Sequence, residues 1–152
     1  MSLHALYAQI AEQEWVEFPQ GWLQGRTLYG GLAAAMMMQK AVTHINDPAK
    51  HLLSCSVTFV GPIQQAKVRL SAEILRQGKS VTTIEVRLWQ DDAVQSILIA
   101  SFGISRDSEI QVQQQAQAPD YAADGYATEH ACLWDAENRL IAMARQTVTV
   151  FA

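Results

Sequence analysis

With 152 residues, 49% of them hydrophobic and 17% charged, the chain can bury one good core, and its composition excludes a disordered, collagen-like or membrane-spanning protein. A formal net charge of -4 and eleven scattered Lys and Arg leave no basic patch for nucleic acid, so none is expected as a partner. The start, from Met1 to Ile10, has neither a basic region nor a long apolar run of the secretory kind; no leader, no membrane association and a cytoplasmic location are expected.

The first regular element is a strand around Trp15 to Phe18, with Glu14 and Glu17 facing solvent. Glycines at 21 and 25 argue for a loop that runs into Tyr29-Gly30-Gly31. From Leu32 to about Ile45 the residues are Ala, Met, Leu and Val on almost every face, which predicts a helix enclosed by protein all round. Fourteen or so residues are too few to span a bilayer. The Met36 to Met38 cluster reads as core filling. Asn46-Asp47-Pro48 ends the helix, because the residue before a proline disfavours helical backbone.

The period then changes from 3.6 to 2. Cys55, Val57 and Phe59 alternate with Ser54, Ser56 and Thr58. Val68, Leu70, Ala72 and Ile74 alternate with Lys67, Arg69, Ser71 and Glu73. After the turn at Gln77-Gly78-Lys79 come Thr82, Ile84, Val86 and Leu88, then a turn at Asp91-Asp92 and a strand from Ile97 to Ser105. Connections this short require antiparallel pairing. One early strand, one buried helix and four antiparallel strands predict a twisted sheet curled around a single helix.

Residues 107–126, rich in Gln, Ala and Asp, read as a linker between a module at 1–106 and a terminal hairpin at 127–152. In that hairpin Leu133-Trp134-Asp135-Ala136 repeats the logic of Leu88-Trp89-Gln90-Asp91, with a turn at Glu137-Asn138. Cys55 and Cys132 lie in apolar runs and read as buried small hydrophobes. His4, His44 and His130 are far apart and carry no metal spacing, so no metal site is expected.

Thr27-Leu28-Tyr29-Gly30-Gly31-Leu32-Ala33, then Ser56-Val57-Thr58-Phe59-Val60-Gly61-Pro62, then Gly78-Lys79-Ser80-Val81 leading into Glu85-Val86-Arg87-Leu88-Trp89, resembles the acyl-CoA thioesterase II-like family. The resemblance covers roughly residues 10 to 105 and again 127 to 151. It implies an α+β hot-dog fold, an antiparallel sheet wrapped around one long central helix, here with an extra C-terminal β-hairpin. Members of that family fuse two such modules; this chain matches one module and the last hairpin of a second, whose helix and early strands have no counterpart here.

Thioester hydrolysis needs donors for an oxyanion and a polar group to position water. Tyr29, Gly30 and Gly31 stand where a helix begins, so unpaired N–H groups there suit developing negative charge; the bland alternative is that the glycines only let the helix enter a crowded core. Single-module hot-dog thioesterases usually carry an acid on the central helix, but the corresponding stretch here, Met36-Met37-Met38-Gln39, has none. In the two-module family a helix Asp, a strand Thr and a last-strand Gln orient the water, and only the Gln finds a match, at Gln146. Gln39 is a weaker stand-in. The resemblance therefore implies hydrolysis or binding of acyl-CoA thioesters, without a cofactor. A non-catalytic acyl-CoA-binding or assembly module is the alternative. A hot-dog hydratase or dehydratase is third, resting on Asp47 and His51, which a helix stop already explains. Exposed strand edges and the incomplete second module point to a homo-oligomer, a dimer or a dimer of dimers.

Overall fold

In a computed structural model, which describes residues 2–105, 121–123, 126–137 and 139–149, the chain opens with a helix that its alternation-poor start does not announce. Helix α1 (Leu3–Glu12) is capped by the Ser2 hydroxyl, which accepts from the Ala5 N–H at 3.2 Å. Leu6 and Ile10, one turn apart, are fully buried. Its C-terminal carbonyls are met from another helix: Lys40 Nζ donates to the oxygens of Ile10 at 3.3 Å and Gln13 at 3.2 Å.

The chain divides into two compact units, Met1–Arg106 and Asp107–Ala152. In the first, strand β1 (Trp15–Glu17) is followed by the small hairpin β2 (Leu23–Gln24) and β3 (Thr27–Leu28), turned by Gly25 at φ 62°. The central helix α2 spans Gly30–Ile45, so it takes in both glycines. Asn46, left-handed at φ 45°, closes it by donating its N–H to Val42 O at 3.0 Å. Then come β4 (His51–Phe59), β5 (Lys67–Gln77), β6 (Val81–Gln90) and β7 (Ala93–Gly103). With β1 they form one antiparallel sheet in the order β1-β5-β6-β7-β4. Asp91 and Asp92, both at positive φ, make the tight β6–β7 turn.

The sheet's inner face is written by alternation. Val68 and Leu70 on β5, Ile84, Val86 and Leu88 on β6, and Leu98, Ala100 and Phe102 on β7 are buried, and Leu32, Ala33, Met36, Met37 and Ala41 of α2 pack against that core. The helix is not enclosed on every side, however. It lies on α1, β5, β6 and β7, and Val42 on its far side is 48% exposed. Cys55, on edge strand β4, is exposed, and Cys132, on a strand of the second unit, is only half-buried; neither is the buried hydrophobe that alternation predicts, because alternation reports a face and not what covers it.

In the second unit β8 (Tyr121–Ala123), β9 (Tyr126–Trp134) and β10 (Leu140–Thr149) form a sheet of order β10-β9-β8. The stretch expected as a linker falls largely outside the described residues. The turn after β9 is tied by Asp135, whose carboxylate accepts from the N–H groups of Glu137 and Arg139 and from Arg139 Nε.

Candidate functional site

The entry to α2 is held by backbone bonds. Leu28 N–H donates to Ile63 O at 2.7 Å, the Ile63 N–H donates to Thr27 Oγ1 at 3.0 Å, and Tyr29 N–H donates to Trp22 O at 2.8 Å. The Tyr29 ring stacks on Trp22 with centroids 6.5 Å apart. Tyr29 occupies the N-cap position and has no side-chain oxygen in place to cap; its carbonyl accepts from both Leu32 and Ala33. The N–H groups of Gly30 and Gly31 therefore have no acceptor among the described residues. Both glycines are also crowded. A Cβ on Gly30 would lie 3.0 Å from Cζ of Phe59, and one on Gly31 would collide with the Tyr29 ring. The two sequence readings of these glycines thus share one geometry: close packing and free donors at a positive helix end.

Gln39 is half-buried and donates Nε2 to Thr43 Oγ1 at 3.4 Å along the same helix. It stands nine positions beyond Gly30, about 13 Å down the axis, so α2 does not bring it to the helix start. Gln146 lies on β10, opposite Glu129 on β9, in the second unit; its side chain is outside the described residues.

At the other end of α2 a recess of about 240 Å³ is walled by Met38, Val42, Ile45, Leu52 and Phe102, with Asp47 and Lys50 as its polar members. Lys50, its side chain only 7% exposed, pairs with Asp47 Oδ2 at 3.4 Å and donates to Thr82 Oγ1 at 2.8 Å. Asp47 Oδ1 accepts from the Ala49 N–H, which accounts for that aspartate as part of the helix stop. Sequence reasoning misses this recess and Phe59's place over Gly30, because both depend on which strand lies beside α2. No cluster of metal-ligating side chains occurs among the described residues.

The family description of the acyl-CoA thioesterase N-terminal domain matches residues 18–103, which include the glycines, α2 and the strands of the first unit. The chain belongs to that family. A hot-dog fold accompanies it: this acyl-CoA thioesterase N-terminal domain superposes on a conserved protein of unknown function with hot dog fold from Alicyclobacillus acidocaldarius with a TM-score of 0.60 at 21% identity, covering 77% of this chain and 49% of that one. It also superposes on a candidate thioesterase II from Thermobifida fusca (TM-score 0.57, 16% identity, 82% and 54% covered). A third likeness is the BH2602 protein from Bacillus halodurans, solved with CoA (TM-score 0.53, 16% identity, 60% and 65% covered). The chain spans about half the length of the first two. No curated protein matches it.

Proposed function

We propose that this protein binds acyl-CoA and hydrolyses its thioester, with the carbonyl held at the start of α2. The observation that carries this reading is the pair of unpartnered N–H groups at Gly30 and Gly31 on a helix with no side-chain cap. Donors aimed at a developing oxyanion stabilise the tetrahedral intermediate as water adds and the CoA thiol leaves, a redox-neutral exchange. The CoA seen with the Bacillus halodurans protein supports the ligand class. The acyl chain would run along the apolar outer side of α2, past Met38, towards the recess at Val42, twelve positions from Gly30 and about 18 Å away. That length suits a medium to long chain. Gln146, the family's last-strand glutamine, would position the water.

A second copy completes the site in this proposal. Edge strand β4 leaves Leu52 and Phe59 of its inner row exposed beside α2, an apolar surface that a neighbouring module would cover. A cytoplasmic location belongs to the same reading; no helix among the described residues is long and apolar enough to cross a membrane.

One observation favours a non-catalytic binding or assembly module instead: the middle of α2, Met36 to Gln39, offers no carboxylate. A thiol-release assay over acyl-CoA chain lengths, run with Gln146→Ala beside the parent, separates the two. Release that depends on Gln146 and rises with chain length is expected. Tight acyl-CoA binding with no thiol release would establish the binding module.

A further inference from the structure

The far end of α2 holds a buried charge that the helix stop does not explain. Asp47 belongs to that stop, but Lys50 turns its ammonium inward, with a side chain only 7% exposed, at the edge of a mainly apolar recess. Lysine is seldom buried, and removing its charge from water is costly even when it is paired. Of the three Nζ protons, Thr82 Oγ1 accepts one at 2.8 Å and Asp47 Oδ2 stands at 3.4 Å, so at least one has no acceptor among the described residues. Asp47 keeps acceptor positions of its own, since Oδ1 accepts from the Ala49 N–H and the side chain is 36% exposed. The recess therefore presents a neutral ion pair that offers a donor and an acceptor side by side.

An apolar stripe leads from the helix start to that pair. Gly31, Ala35, Met38, Val42 and Ile45 follow one another on α2 at spacings of three and four, so they share one face, and none of them is fully buried. Strand β4 runs beside this face in the opposite direction. At one end Phe59 packs over Gly30, and at the other Leu52 joins Val42 and Ile45 in the recess. The packed side of α2 is given to β5, β6 and β7. The stripe and β4 thus bound one apolar path from the paired glycines to the ion pair, with Val42 about 18 Å along the axis from Gly30.

We propose that Lys50 and Asp47 read the far end of the acyl chain and select a hydroxyl there, so that the substrate class is a long-chain acyl-CoA hydroxylated at its terminus. This inference rests on the thioester reading and asks nothing of a second copy at the β4 edge. A methyl end seated against the ion pair shuts water away from it and returns no hydrogen bond. A hydroxyl accepts from the free Nζ proton and donates to Asp47, and the pair stays neutral. A carboxylate accepts but cannot donate, and it sets a second negative charge beside Asp47.

Calorimetry with non-hydrolysable thioether analogues of palmitoyl-CoA tests it, the analogues differing only in a methyl, a hydroxyl or a carboxylate at the chain terminus. A methyl and hydroxyl pair on an octyl chain, too short to reach the recess from Gly30, is the control. The parent protein should bind the long hydroxyl analogue about tenfold tighter than the methyl one, the effect of one hydrogen bond to a charged group, and the carboxylate no tighter than the methyl. Lys50→Met, similar in length and apolar, should erase the preference. If that variant fails to fold by its melting temperature, Val42→Trp carries the test: its position is 48% exposed, and the indole should fill the recess and erase the preference too. Equal binding of the long methyl and hydroxyl analogues by the parent overturns the inference, as does a preference that survives in a folded Lys50→Met or that the octyl pair shows equally. Tighter binding of the carboxylate than of the hydroxyl overturns selection of the hydroxyl. Failure of the parent to bind any analogue overturns the thioester reading itself and this inference with it.

Discussion

At the scale of single residues, burial decides what a substitution does. Met36 is 0% exposed and packs in the core between α2 and the sheet. A carboxyl group there has no partner, so Met36→Asp should cost about 2 to 7 kcal/mol and abolish or sharply lower cooperative melting. An unchanged melting temperature by calorimetry would contradict the core assignment. Asp135 shows a different case, a half-buried group whose hydrogen bonds govern its titration. The Arg139 N–H, first among several donors, holds its carboxyl below the ordinary value of 3.8. The folded value is therefore below the unfolded one, so the turn gains from the ionised form above 3.8 and loses that contribution as the pH falls through the lowered value. The Arg139 amide resonance should titrate with a midpoint below 3.8, and a midpoint at or above it would show that the bond is not held in solution. Of the residues singled out from sequence, Tyr29, Gly30 and Gly31 are legible because glycine beside a helix start implies a backbone need. Ser96 is not, although it occupies an inner-face position in the Ser96, Leu98, Ala100, Phe102 row; period alone does not say that its hydroxyl is left without a partner.

Elements follow from local pattern where pattern is strong. Strands β5, β6 and β7 alternate, and the turns that join them fall where expected, although β7 begins at Ala93 and ends at Gly103 and not at Ile97 and Ser105; the sequence starts α2 two residues late because Gly30 and Gly31 look like loop. Helix α1 escapes sequence reading, since its buried stripe is only Leu6 and Ile10, and much of its support is remote. Lys40, on α2, closes its C-terminus with two hydrogen bonds. Lys40→Met should therefore cost about 1 kcal/mol, a fall of about 2–4 °C in melting temperature for a chain of this size. Differential scanning calorimetry measures it. Faster hydrogen exchange confined to the amides of α1 should accompany the change, and protection lost evenly across the sheet would point to another cause.

For the whole molecule, the edge of the sheet is the feature that asks for a partner. Strand β4 ends the order β1-β5-β6-β7-β4 and, with the residue after it, carries exposed Leu52, Leu53, Phe59 and Val60. Light scattering on a sizing column should report about twice the chain mass of 16.8 kDa, or four times for a dimer of dimers. Cys55→Lys places a charge on the inner row of that edge and should return the mass to 16.8 kDa with the fold intact by circular dichroism. A parent protein that runs as a monomer and still binds acyl-CoA would remove the second copy from the proposed site. The sequence by itself determined the order of strand, helix and four strands, and the antiparallel pairing, because period and connection length are local properties of a chain. It also marked the glycine pair at the helix start. Only the tertiary structure decided that α2 leaves one side uncovered, that Phe59 crosses to Gly30, that Lys50 lines a recess near Leu52, and that Ser96 has no partner. Those facts join residues far apart in the chain, and their cause is how far the sheet curls beneath the helix, which no window of sequence contains.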